Sequence, residues 1–378
     1  MSIHQKILSA AISFTVAFTI LLQSYFTVAA SAISVSADSA VLIDADSGNI
    51  LFEKNASKIR PMASTTKIMT AVVAIEQGKL DKRITIPKAA VGIEGSSIYL
   101  CEGEELTLRQ LLYALLLSSA NDAATAIAIE IGGSIEGFAD LMNDTAKKIG
   151  LNNTHFDNPH GLDSDTHYTT AKDLAALAAY AMKIPEFREI VSKYKAQIPM
   201  CGTENGRLLV NHNKLLKSYE GVIGVKTGFT KKSGRCLVSA AERDGALLIA
   251  VTLSAPDDWR DHAAMLDYGF ENYVSVPLSD GNINVNIPVV SGKADTVSCG
   301  TLEDVHVLLP KDHKNIVCRV ESDRFLYAPV DVGESVGKVI FSCDGKTLAE
   351  LELVALHPIE LKPQKYTFWD KIKDIFGI

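Results

Sequence analysis

The sequence has no block of lysines and arginines, no Cys-x-x-Cys pair, no internal repeat and no low-complexity tract. Each absence excludes a class of function. A protein that neutralises phosphates needs a basic face, and a formal net charge of −8 with no basic run argues against nucleic acid as a partner. Without closely spaced cysteine pairs, neither a zinc knuckle nor a thioredoxin-like redox site is expected. His155, His160 and His167 are the tempting metal cluster, but their spacing fits no helix face, so they read as structural and no metal or other cofactor is expected. What remains is the usual mix for a chain that buries a core, 47% hydrophobic and 22% charged, and 378 residues suggest two domains.

Charge is scarcest at the start. Lys6 is the only charged side chain among residues 1–32, an apolar stretch runs from about Ile7 to Leu22, and small residues gather at Val28–Ala32. This pattern describes a secretory signal peptide over 1–32, the alternative being an uncleaved anchor near the short limit for a span. Its removal takes away one positive charge and leaves a net −9. Export makes the cysteines worth counting. Cys101, Cys201 and Cys236 lie in the first part, and Cys299, Cys318 and Cys343 in the last. With three in each, either one in each part is unpaired or a bridge crosses between parts; ordinary buried thiols are the expectation.

Hydrophobic periodicity places the elements. Residues 39–52 read as a β-hairpin around Asp46-Ser47-Gly48, and residues 64–77 as a helix. Residues 106–131 are helical at both ends and broken near Ser118–Asn121; another helix runs over 170–183 and stops before Pro185. The stretches 222–226, 235–242 and 246–254 read as strands, so this first part is expected to be a sheet with a helical cluster against it. After Tyr273 no helical period appears. Short Val- and Ile-rich stretches at 283–289, 303–309, 316–320, 336–342 and 348–354, separated by turn residues, predict a small all-β domain. The expected organisation is α+β: a first domain over 38–272, a linker over 273–282, a β-rich domain over 283–357 and a tail over 358–378. In that tail Trp369, Ile372 and Phe376 share one helical face, with Phe368 and Ile375 beside it and Asp370, Lys371, Lys373 and Asp374 opposite. Such a face suits an interfacial membrane helix, or docking on the protein's own β-domain.

Three short motifs carry chemistry. Ser64-Thr65-Thr66-Lys67 opens a helix, and a spacing of three sets hydroxyl and amine on one face. A lysine of lowered pKa can take a serine's proton. Ser119-Ala120-Asn121 sits at the helix break, where an irregularity is costly unless its polar groups are used. Lys226-Thr227-Gly228 ends an apolar strand; glycine lets a ligand backbone approach, and lysine and threonine hold negative charge. Singly, each is weak: an N-cap serine, a tolerated irregularity, a turn. In this order they are the set of the penicillin-binding proteins and serine β-lactamases.

The chain resembles the low-molecular-mass penicillin-binding proteins of the serine D-alanyl-D-alanine carboxypeptidase family. The resemblance covers about 38–272 and includes Ala40–Gly48, Pro61–Ala71, Leu112–Ala124, Asn158–Asp163 and Gly224–Thr230. It implies a serine β-lactamase/D,D-peptidase-like domain, with an antiparallel sheet and a helical cluster, followed by the β-domain. It also implies Ser64 as nucleophile, Lys67 as general base, Ser119 as proton relay and Asn121 as the residue positioning Lys67 and substrate. Lys226 and Thr227 would hold a terminal carboxylate, Gly228 would admit the substrate backbone, and the N–H groups of Ser64 and Phe229 would form the oxyanion hole. Arg260, ahead of Leu266–Phe270, resembles a family arginine that helps hold the carboxylate, although Asp261 offers it a surface partner. Phe229 stands where some relatives have histidine, and Ala120 where they often have Gly or Asp.

The implied partners are peptidoglycan stem peptides ending in D-Ala-D-Ala, β-lactam inhibitors and, through the tail, a membrane surface. The implied location is the outer face of the cytoplasmic membrane. A β-lactamase shares the motifs, but its water-activating glutamate, three residues before a Leu-Asn pair, is replaced here by Lys148 before Leu151-Asn152. A D,D-endopeptidase and a non-catalytic wall-binding protein are the other readings.

Overall fold

The computed structural model describes residues 33–280, 283–363 and 376–377. The signal segment expected over 1–32, and the part of the tail after Pro363 that carries Trp369 and Ile372, lie outside them. The described residues from Ser36 onward form one compact unit, to which everything below refers.

The first part is built on a five-stranded antiparallel sheet of order β2-β1-β9-β8-β7, from β1 (Ser39–Asp44), β2 (Ile50–Lys54), β7 (Val222–Thr230), β8 (Gly234–Arg243) and β9 (Ala246–Leu253). The chain enters and leaves the sheet at β1 and β9. Between them it makes two small hairpins, β3 (Arg83–Thr85) with β4 (Glu105–Thr107) and β5 (Lys195–Ile198) with β6 (Arg207–Val210). The helices are α1 (Lys67–Gln77), α2 (Leu108–Leu117), α3 (Asn121–Gly132), α4 (Ile135–Ile149), α5 (Ala171–Met182), α6 (Pro185–Ser192), the single turn α7 (Leu215–Ser218) and α8 (Asp258–Asn272).

β9 is buried along its whole length because both faces of the sheet are covered. Strand alternation divides the side chains. Val41, Ile43, Ile249 and Val251 join the core formed with Ile68, Val72 and Leu116 of the helical cluster. Leu42 and Leu248 point the other way and meet α8 at Gly269, where a Cβ would stand 2.4 Å from Leu248 Cδ1. The helical stretch expected over 106–131 is indeed two helices. α2 starts at a capping box between Thr107 and Gln110, and α3 starts at Asn121.

The second part has a six-stranded sheet of order β14-β16-β17-β12-β11-β15. Its strands are β11 (Asn284–Val290), β12 (Thr296–Gly300), β14 (Val317–Ser322), β15 (Leu326–Tyr327), β16 (Ser335–Cys343) and β17 (Lys346–Ala355), packed around Ile287, Val297, Val339, Phe341 and Leu353. β13 (Asp304–Pro310) pairs instead with β10 (Tyr273–Asp280). Two expected boundaries are thereby corrected. Most of the linker expected over 273–282 is a strand, and Ile359 and Leu361 still pair with Val330 and Gly292, inside the stretch assigned to the tail.

The cysteines also depart from expectation. Cys101 and Cys201 form a disulfide within the first part, whereas Cys236, Cys299, Cys318 and Cys343 keep free thiols. Beside the bridge, Arg207 forms a forked pair with Glu104, both side chains about 95% buried, and also donates to the Tyr99 carbonyl at 3.0 Å. Bridge and ion pair fasten the loop before β4 to the β5–β6 hairpin. Removing one partner strands a buried charge, so Glu104→Ala should lower stability by about 3 kcal/mol in urea denaturation. A loss below about 1 kcal/mol would mean that Arg207 finds water there.

Candidate active site

The three motifs come from three elements and meet in one cleft of about 370 Å³. Ser64 lies in a 3-10 turn, Ala63–Thr66, that leads into α1. Thr65 and Thr66 close this turn by donating to the carbonyls of Met62 (2.6 Å) and Ala63 (2.8 Å). Ala63 is held at φ +47°, and Gly161 of the neighbouring loop packs so closely that a Cβ there would lie 1.9 Å from the Ala63 oxygen. Only glycine fits that contact, and Gly161 is itself at φ +86°.

Lys67 is fully buried, and its ammonium has an acceptor for each proton: Ser64 Oγ at 2.9 Å, Asn121 Oδ1 at 2.7 Å and the His160 carbonyl at 2.6 Å. Burial, and then the charge of Lys226, hold its pKa well below the ordinary lysine value, while Asp122 pulls the other way. A neutral Lys67 gives up one proton and keeps a lone pair facing Ser64 Oγ, which is the geometry of a base activating a hydroxyl.

Ser119 sits between α2 and α3 at φ +59°, a strained position for a residue with a side chain. Its surroundings enforce it. The Ala120 N–H donates to the Ala114 carbonyl and the Asn121 N–H to that of Ser96. The Asn121 amide donates to the Glu94 carbonyl at 2.5 Å, which leaves its oxygen for Lys67. Asp122 accepts from Ser97 Oγ (2.6 Å) and the Leu100 N–H (3.1 Å), fixing the loop over residues 94–100 against the start of α3.

β7 is an edge strand of the sheet and forms the opposite wall. Gly228 faces the Ser64 turn: a Cβ would lie 3.0 Å from the Ser64 nitrogen and 3.1 Å from that of Thr65. Lys226 is buried, donates to the Thr227 carbonyl at 2.7 Å, and has its pKa pushed down to about 7 by burial. Phe229 is exposed at the mouth.

The arginine in the cleft is not the expected one. Arg260 is three-quarters exposed and pairs with Asp257 on the surface of α8, while Asp261 is buried and accepts from Ser36 and the Ala37 N–H. Arg235 of β8 lines the cleft instead, held by Asp258 at 2.8 and 2.9 Å and lying over the Trp259 ring. An arginine in an apolar strand, with its acid more than twenty positions away, leaves no local signal in a sequence.

The histidines hold the loop. His167 accepts from the Asp157 N–H through Nδ1, which leaves Nε2 to donate to Thr66 Oγ1 at 2.7 Å; burial lowers its pKa to about 4 and that of His160 to about 3. Both are therefore neutral near pH 7. What position 160 offers Lys67 is its backbone carbonyl, which side-chain chemistry does not announce. Lys148 is exposed and pairs with Glu76, outside the cleft lining.

Comparison with known proteins agrees along most of the chain. The model of a family described as D-alanyl-D-alanine carboxypeptidase matches residues 26–257, and that of the penicillin-binding protein 5 C-terminal domain matches residues 275–360. D-alanyl-D-alanine carboxypeptidase DacF of Bacillus subtilis is 34% identical over 82% of this chain and 82% of its own length. DacA of Escherichia coli is 33% identical over 86% of this chain and 84% of its own. Among solved structures, penicillin-binding protein 5 of Haemophilus influenzae superposes with a TM-score of 0.72 at 28% identity, covering 87% of this chain and 99% of that one.

The Lys67 geometry sets a pH dependence with a definite sign. A neutral amine acting as base would make labelling of Ser64 by a small sulfonyl fluoride accelerate as pH rises, with a midpoint well below the ordinary lysine value. Lys67→Ala should slow labelling about 10³-fold and flatten the profile. A profile unchanged by that substitution would assign the base elsewhere.

Proposed function

The chain belongs to the D-alanyl-D-alanine carboxypeptidase family of serine peptidases, and we propose that it removes the terminal D-alanine of peptidoglycan stem pentapeptides through an acyl-enzyme on Ser64. The observation that carries this reading is the buried Lys67 amine, 2.9 Å from Ser64 Oγ and fixed from two other sides by Asn121 and the His160 carbonyl.

In the first half-reaction neutral Lys67 takes the hydroxyl proton as Ser64 Oγ attacks the carbonyl between the two D-alanines. Ser64 stands in the first turn of a helical segment, where N–H groups lack intrahelical acceptors, so its amide is free to meet the developing oxyanion together with that of Phe229. The proton passes through Ser119 to the leaving nitrogen, the C–N bond breaks and free D-alanine departs. In the second half-reaction water attacks the ester, Lys67 takes its proton, and Ser64 is restored. Lys226, Thr227 and Arg235 hold the terminal carboxylate, which in turn favours the charged form of Lys226. Arg235 replaces Arg260 in this role, and Asn121 also holds the substrate amide. The substrate lies extended along β7, with Gly228 giving its backbone room.

A β-lactam offers the same attacked amide and neighbouring carboxylate, so it acylates Ser64. Among the described residues lining the cleft, Asp258 is the one carboxylate, and it is engaged by Arg235. Among the described lining residues no free carboxylate is available to speed hydrolysis of that ester beyond what Lys67 provides, which supports lasting inhibition over β-lactamase turnover. The site reading goes with residues 38–272 as the catalytic domain, 1–32 as an export signal and the tail as the attachment to the outer face of the cytoplasmic membrane.

Ser64→Ala should abolish both D-alanine release from a pentapeptide and covalent labelling by penicillin; a labelled variant would remove Ser64 from its role. Arg235→Gln should lower kcat/KM for the pentapeptide about 10- to 100-fold, the range of about one to two charge-assisted hydrogen bonds, and Arg260→Ala should stay within about twofold of the native enzyme. The reverse ranking would restore Arg260 as the carboxylate partner.

A further inference from the structure

A second groove, of about 740 Å³, joins the cleft: Ser96 and His212 line both, and Ser118, next to Ser119, lines the groove. His212 fixes where the two meet. Its N–H donates to the Leu117 carbonyl at 3.3 Å, and the buried amide of Asn213 beside it donates to the Gly224 carbonyl of β7 at 2.7 Å. The imidazole therefore stands toward the start of β7, near enough to Lys226 for that charge, after burial, to lower its pKa. At the far end of the strand Thr230 Oγ1 donates to Asp163 at 3.0 Å. In the proposed reaction Ser119 serves the leaving nitrogen, and Lys226 and Thr227 hold the carboxylate of the same residue. The groove thus begins beside the residue that departs, whereas the stem upstream of the attacked bond runs toward Phe229 and Thr230.

The groove is apolar where an exposed surface is ordinarily polar. In β6, Arg207 and Leu209 are buried, and Leu208 (64% exposed) and Val210 take the other face. The Cys101–Cys201 bridge sets Tyr99 (81% exposed) and Met200 beside them. Tyr99 is held at φ +58°, uncommon for an aromatic residue, by its N–H on Ser97 Oγ at 2.9 Å and by Arg207 on its carbonyl. Arg207 is the one permanently charged side chain among the groove's described lining residues, and Glu104 neutralises it.

We infer that this groove receives the side chain of the leaving residue, so that the enzyme releases D-residues with a long, uncharged side chain as well as D-alanine. The occupant follows from continuity with the cleft. The leaving residue is fixed by its nitrogen and its carboxylate, and its side chain is the part left to cross the border at Ser96 and His212. A charged side chain would lose water there without gaining a partner. The bond broken and the water consumed are those of D-alanine release, and the inference rests on that reaction.

The test uses the chain without residues 1–32 and three soluble pentapeptides, ending in D-alanine, D-norleucine or D-lysine, with the released residue measured by chromatography. D-norleucine should leave with a kcat/KM within about threefold of D-alanine, and D-lysine about tenfold more slowly than D-norleucine. Leu208→Ser, at an exposed position, and Tyr99→Gly, which keeps the positive φ, should together lower kcat/KM for the D-norleucine peptide about tenfold through KM. The D-alanine peptide should lose less than about twofold. A native enzyme more than about tenfold slower on D-norleucine than on D-alanine would overturn the inference. Equal losses on both peptides, or no loss on either, would do the same. If the native chain releases no D-alanine, the enzymatic reading falls, and binding to the Ser64→Ala chain decides the groove by itself. A D-norleucine peptide bound there no more tightly than the D-alanine peptide, or bound equally after the two groove substitutions, removes the groove from its role.

Discussion

A lysine amine in a dry site needs a partner for each proton, or it costs several kcal/mol that the fold must offset. Lys67 meets that demand with three oxygens from three separate pieces of chain: Ser64 in its own turn, Asn121 at the start of α3 and the His160 carbonyl in the loop before α5. Moving any of the three leaves a buried donor unsatisfied. The Ser64 turn, the helix break and the loop are therefore coupled through one nitrogen, and the same burial that makes the coupling strict lowers the amine's pKa, the direction a base requires. Stability and reactivity share a cause here.

The supports around that nitrogen are mostly backbone. The Glu94 and Ser96 carbonyls fix Asn121, and the Pro159 carbonyl accepts from Thr70 one turn along α1. The strained Ser119 and Ala63 persist because neighbouring chain leaves them no alternative: Asp122 bonds the loop over residues 97–100 on one side, and Gly161 presses on Ala63 on the other. A site held this way depends less on which side chains surround it than on where the chain passes.

That explains what could be read from the sequence. Ser64, Lys67, Ser119, Asn121 and Lys226 stand out because their chemistry and local spacing are written in adjacent letters, and the strands and helices around them follow from periodicity. Arg235 did not stand out. Its place in the cleft depends on the pairing of β7 with β8 and on Asp258 far along the chain, while Arg260, one residue past Trp259, lies on the outer surface of α8. The Cys101–Cys201 bridge joins residues 100 positions apart, and proximity at that separation is a property of topology. β10 went unseen because its partner, β13, lies beyond two intervening strands.

The open edge of β7 has a stereochemical consequence. A peptide laid along it becomes a sixth strand, recognised through its backbone, so the identity of its side chains matters little and their handedness matters a great deal. With amide and carbonyl held in register, inverting one α-carbon exchanges its methyl group with its hydrogen and turns the methyl toward the opposite wall. At Gly228 that wall is already within contact distance of the Ser64 backbone. A slot this narrow would tell the two hands of a residue laid along β7 apart by where its methyl group falls.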